Sequence, residues 1–123
     1  MKYFKTSEFD SPDKPGSGSL MSETLLEMLD EVRDKLGSPI KINSGYRTQE
    51  HNAKVGGKPK TETSKGSSHM YGLAADLSCT NSTDRYNLIF LLQETGFQRI
   101  GVGSTFIHVD IDFDKAQSVM WTY

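Results

Sequence analysis

The stretch RIGVGSTFIHVDIDF, residues 99–113, sets two alternating apolar and polar runs on either side of Gly103-Ser104. Such a pattern reads as a β-hairpin with its turn at the Gly-Ser pair. Successive side chains on a strand point to opposite faces. The second arm therefore places Ile107, Val109, Ile111 and Phe113 on one face, and Phe106, His108, Asp110 and Asp112 on the other. His108 is thus expected to point away from the core.

A hairpin with one apolar face needs a cover, and the flanking sequence offers two helices. Leu25, Met28, Leu29, Val32 and Leu36 recur at spacings of three and four, which predicts a helix over 23–36 with Ser22 as cap and Gly37 as stop. NSTDRYNLIFLLQETGF, 81–97, predicts a second, with Tyr86, Ile89, Phe90 and Gln93 on a stripe that Leu88, Leu91 and Leu92 widen. PIKINSGYR, 39–47, reads as a strand delivering Tyr46 and Arg47 to a turn, and TQEHNAK, 48–54, as a short helix capped by Thr48. VGGKPKTETSKGSS, 55–68, has no apolar pattern and is expected to be a loop forming a rim or lid. LAADLS, 73–78, alternates so that Leu73, Ala75 and Leu77 oppose Ala74, Asp76 and Ser78. EFDSPDKPGSGS, 8–19, collects turn residues and is expected to be a loop. The class is α+β, with two main helices.

At 123 residues the chain is the size of one domain, 1–123, in which 1–21 form an N-terminal segment and loop. A net charge of −2 argues against nucleic acid or an anionic membrane as a partner. Cys79 is the single cysteine, so a thiolate metal site and an internal disulfide are both excluded. No apolar run reaches signal-peptide or membrane-span length, so the expectation is synthesis in the cytoplasm without a signal peptide. Oligomeric state has no signature in the sequence.

SSHMYGLAAD, 67–76, separates His69 from Asp76 by small residues and Gly72, a spacing that lets the chain turn tightly. With His108 these give three ligands, the number catalytic zinc takes from a protein while keeping a fourth position for water. Spacing by itself leaves two readings open, a metal centre and hydrogen-bonded or surface histidines. Other chemistries lack their motifs. There is no G-x-S-x-G elbow for a serine hydrolase, and GGKP lacks the remainder of a phosphate-binding loop.

Four segments taken together, SGYR (44–47), HNAKVGG (51–57), SSHMYGLAAD (67–76) and FIHVDID (106–112), resemble the peptidase M15 family of zinc peptidases, the D-alanyl-D-alanine carboxypeptidase and endolysin group. The likeness spans about Ile40 to Asp112, and YFKTSEFDSPD near the start is typical of the small bacterial and phage members. It implies a mostly antiparallel sheet of the kind shared with the hedgehog signalling domain. It also implies one Zn2+ on His69, Asp76 and His108. Arg47 then matches the arginine that holds a substrate carbonyl or carboxylate and stabilises the oxyanion, and Ser67 a serine that binds the substrate backbone.

Several of the family's branches carry a Glu three residues before the last ligand, or a His two before it. Here those positions are Thr105 and Phe106. Asp110, two residues beyond His108 on the same strand face, is a candidate general base; equally, it could orient His108 from behind, and His51 is a weaker alternative. The implied activity is hydrolysis of a peptide bond in peptidoglycan stem peptides, D-Ala-D-Ala or L-Ala-D-Glu, at the cell wall in a phage or lysis setting, with GGKPKTETSKG as the segment to shape the pocket. The alternative is a zinc-bearing binding or structural module of the same fold without catalysis.

Overall fold

The computed structural model describes residues 1–123. Helix α1 spans Glu23–Leu36, with the Ser22 hydroxyl accepting the Leu25 amide and Gly37 closing it in the left-handed region at φ 74°. These are the cap and stop that the sequence predicts. Its buried face is Leu25, Leu26, Leu29 and Val32. A short strand, β1 (Ile42–Ser44), leads through Gly45–Thr48 into α2 (Gln49–Lys54), where Thr48 Oγ1 accepts the His51 amide. A 3₁₀ turn at Ser68–Tyr71 precedes β2 (Ala74–Ser78), and α3 covers Ser82–Thr95. β3 (Arg99–Val102) and β4 (Phe106–Asp110) form the expected hairpin, closed by the Gly103 amide on the Phe106 carbonyl. A further strand, β5 (Val119–Thr122), ends the chain.

The strands form one sheet in the order β1-β2-β4-β3-β5, antiparallel throughout except for the parallel β3–β5 pair. This is a small single-domain α+β fold. Ala75 and Leu77 of β2, Ile100 of β3, and Ile107 and Val109 of β4 join the buried faces of α1 and α3 in one hydrophobic core. The helices cover one sheet face, and the polar residues of β2 and β4 are left on the other. No helix is long and apolar enough to cross a membrane.

Four expectations need correction. Tyr86 and Phe90 are 76% and 56% exposed, and α3 instead buries Leu88 and Leu92. Apolar residues occupy most of the circumference of α3, so periodicity did not single out the inward side. Phe113 is 78% exposed because β4 ends at Asp110, before alternation could carry Phe113 to the core face. β5 is absent from the sequence reading, although SVMWTY is rich in strand-forming residues.

Residues 8–19, expected to be a loop, include parts of two 3₁₀ turns, Thr6–Phe9 and Ser17–Leu20, joined by a packed turn segment. Phe9 is fully buried against Phe4, Asp10 accepts the Gly16 and Gly18 amides, and the Ser17 hydroxyl accepts the Ser11 amide. The segment packs against the turns that carry Arg47 and His69. Tyr46 N–H donates to the Phe9 carbonyl, and a Cβ on Gly45 would lie 2.7 Å from Phe9 Cα. Ser22 N–H likewise donates to the Gly72 carbonyl, and a Cβ on Gly72 would lie 2.2 Å from the Leu20 carbonyl oxygen.

Gly72→Ala, which meets both a positive φ of 70° and the immovable Leu20 backbone, is expected to lower the unfolding free energy by roughly 2–4 kcal/mol. Gly37→Ala, with open space around it, should cost only the left-handed strain it introduces, about 1 kcal/mol. Denaturant unfolding of the two variants checks the difference.

Candidate metal centre

The antiparallel register of β2 and β4 sets Asp76 directly opposite His108. Opposed residues share a sheet face, so both side chains project from the side away from the helices. The same row continues across the sheet, with Gly101 opposite His108 and Trp121 beside Gly101. Because Gly101 has no side chain, the Trp121 ring lies over it, where a Cβ would be 2.7 Å from Trp121 Nε1, and its centroid comes within 5.5 Å of that of the His108 ring.

His69 reaches the row from the 3₁₀ turn, where the Ser67 hydroxyl caps the turn by accepting the His69 amide. Its Nδ1–H donates to the Gly45 carbonyl at 2.8 Å, which fixes the tautomer and leaves Nε2 bare, 3.2 Å from Asp76 Oδ1. His108 is held in the reverse sense. Its Nε2–H donates to Asp110 Oδ2 at 2.8 Å, and Nδ1 lies 2.9 Å from Asp76 Oδ1. One ligand atom from each of His69, Asp76 and His108 thus falls within 4.8 Å of the others.

The donor set fits a divalent cation of the zinc type. It consists of two imidazoles and a carboxylate, each imidazole having its far nitrogen anchored by an acceptor. The electrostatics agree. Burial pushes the Asp76 carboxyl up, but its close contacts with the His108 and His69 imidazoles hold it far below the usual carboxylate range. Burial lowers the His69 pKa and outweighs the attraction of Asp76 for its charged form, so that imidazole is neutral. Burial also lowers that of His108, but the carboxylates at its two nitrogens prevail and raise it.

Arg47 follows β1 and is braced on all sides. Its backbone N–H donates to the His69 carbonyl, Nε to Ser44 Oγ at 3.0 Å, one terminal nitrogen to Asn52 Oδ1 at 3.3 Å, and the other to Asp76 Oδ2 at 3.2 Å. Asn52 is itself buried and donates to the Lys58 carbonyl, which ties Arg47 to the start of the long loop. Asp110 does not open onto the space between the three ligand atoms. Oδ2 accepts from His108, and Oδ1 from Arg99 Nε at 2.7 Å and from the Asp112 amide. His51 lies elsewhere, in a surface hollow with Asp13, Glu50 and Lys54.

The centre opens into a cleft of about 500 Å³ whose walls include Val55–Lys58, Ser67, Phe106, Lys115, Trp121 and Tyr123. The 55–68 segment therefore supplies a wall, as the rim expectation holds. Arg99, Lys115, Trp121, Tyr123 and Asn52 are absent from the sequence reading. The alternation of Val119, Trp121 and Tyr123 was a legible signal for two of them; Arg99 needed the β3–β4 register, which sets it opposite Asp110.

Two outcomes follow for metal binding. His69→Ala, Asp76→Ala and His108→Ala should each abolish stoichiometric zinc in elemental analysis, whereas Arg47→Ala should retain it. His108, with its raised pKa, must lose a proton to ligate, so zinc affinity should fall about tenfold per pH unit below that pKa and level off above it in chelator-competition titrations.

No curated protein matches the chain. The Peptidase M15 family pattern, in contrast, matches residues 2–111, nearly its whole length, including His69, Asp76, His108 and Arg47. The chain belongs to the peptidase M15 family.

Proposed function

We propose that this protein is a zinc-dependent peptidase that hydrolyses a bond in peptidoglycan stem peptides at the cell wall, in a lysis setting of the phage type. The observation that carries this reading is the convergence of His69, Asp76 and His108 beside a fixed guanidinium in an open cleft. Zinc bound there would act as a Lewis acid on the scissile carbonyl and lower the pKa of a water to about 7.

The chain's own residues supply orientation and charge. Arg47, held through Ser44, Asn52 and Asp76, presents forked donors beside the metal ligands, where an oxygen gaining charge in the tetrahedral state would sit. Ser67 keeps a hydroxyl proton free to donate to substrate backbone while its oxygen caps the His69 turn. Asp110 acts as a positioning residue. With both oxygens occupied and the side chain 1% exposed, it keeps the proton on His108 Nε2 and leaves Nδ1 for the metal.

One observation favours the second reading, a zinc-bearing module without catalysis. Both carboxylates of the cleft, Asp76 and Asp110, are committed to histidines and arginines, and none stands ready to take a proton from water. The two readings part on purified peptidoglycan. Release of stem-peptide fragments by the zinc-loaded protein supports the peptidase, and an inert, stoichiometrically zinc-bound protein supports the module.

If the peptidase reading holds, Arg47→Ala should keep zinc and lose roughly 10²–10³-fold in kcat, the effect typical of a lost oxyanion donor. Asp110→Asn separates its two candidate roles. As a positioning residue it should weaken zinc binding by roughly 10–100-fold, with most activity restored at saturating zinc. As a general base its loss should leave zinc bound and cut kcat by roughly 10²–10⁴-fold.

A further inference from the structure

The charge of the cleft is opposite in sign to that of the chain. Four cations, Arg47, Lys58, Arg99 and Lys115, line it against the two carboxylates Asp76 and Asp110. Arg47 is paired with Asp76, and Arg99 with Asp110. Lys58 is exposed at the rim. Lys115 differs from all three.

Its side chain is 28% exposed, and Nζ donates to two uncharged oxygens, the Gly66 carbonyl at 2.9 Å and Ser68 Oγ at 2.8 Å. Within 4.0 Å it meets one carboxylate oxygen, Asp112 Oδ2, at 3.9 Å, beyond hydrogen-bond reach. Asp112 is already served by the Ser68 hydroxyl at 2.7 Å, Lys65 Nζ at 3.0 Å and the Asp114 amide at 3.2 Å. An ammonium has three N–H donors, and the two bonds to Gly66 and Ser68 leave one. A partly buried cation with no carboxylate in hydrogen-bond contact gains more from an arriving anion than a fully solvated one does. Consistent with this, burial holds the Lys115 pKa below the usual lysine value.

We propose that Lys115 is a specificity-determining residue whose ammonium binds a free carboxylate of the peptide substrate; this rests on the peptidase reading above. Stem peptides with L-lysine at the third position, the probe used, carry such a group in two places near hydrolysable bonds, at the C-terminal D-Ala and at the α-carboxyl of D-isoglutamate. The cut then falls beside whichever of these Lys115 reads.

The experiment uses the zinc-loaded full chain and three forms of one stem pentapeptide: the parent acid, its C-terminal carboxamide, and its D-isoglutamine analogue. One of the two amidations should lower kcat/KM of the wild type about tenfold or more, the effect of losing a charge-assisted bond, and which one identifies the carboxylate. Lys115→Gln, which keeps donors for Gly66 and Ser68, should bring the acid-to-amide ratio close to one, and Lys115→Glu should invert it. Zinc content and thermal midpoint verify that the variants are folded, and Lys115→Met replaces Lys115→Gln if the latter is not.

Indifference of the wild type to both amidations overturns the proposal while leaving the peptidase reading intact. So does a preference that Lys115→Gln or Lys115→Met fully retains. If none of the peptides is cleaved, the peptidase reading fails, and calorimetric affinities decide the carboxylate site separately. Tighter binding of the acid than the amides, lost in the lysine variants, supports the site, and equal affinities overturn it.

Discussion

Everything on the open face depends on the pairing of β2 with β4 in a single register. Asp76 stands opposite His108 because Ala75 and Leu77 are buried against the same core as Ile107 and Val109. A slip of β4 by one residue would turn His108 inward and Ile107 and Val109 outward. The hydrophobic core thus places the three candidate ligands without touching them, and the burial that stabilises the sheet also fixes which face they share.

The second constraint is close backbone approach. His69 and Arg47 lie on turns, not strands, and turns need external support to hold a side chain in place. Here the N-terminal segment supplies it, pressing Phe9 against Gly45 and Leu20 against Gly72 at distances that no side chain at either glycine would allow. The Gly45 carbonyl so positioned accepts from His69 Nδ1, and the His69 carbonyl accepts the Arg47 amide. The two turns therefore hold each other, and the buried polar groups satisfy one another at short range.

Charge is divided in the same economical way. The chain carries −2 overall, yet its cleft gathers arginine and lysine around two carboxylates that are already occupied. A dication would make that contrast larger. Net charge is a sound guide to nonspecific partners and a poor one to the field inside a small concavity, where low-dielectric walls let a few residues dominate.

Features that depend on local pattern are legible in the amino-acid order alone. Ser22 and Gly37 bounded α1, Thr48 capped α2, and the alternation around Gly103-Ser104 gave the β3–β4 hairpin and sent His108 away from the core. The motif segments singled out His69, Asp76, His108 and Arg47, and the first three converge in space. Tertiary structure decided what depends on partners distant in sequence. The inward face of α3 was set by its packing in the core and not by a clear apolar stripe, so Tyr86 and Phe90 lie outside. The parallel addition of β5 to β3 brought Trp121 over Gly101 and onto His108, a contact that no local spacing encodes. Asp110 lost its freedom to Arg99 and His108, neighbours fixed by register and strand face, while Lys115 kept a donor because Asp112 was already served. Periodicity and caps act over a few residues, whereas the occupancy of a hydrogen-bonding group depends on everything that folds against it.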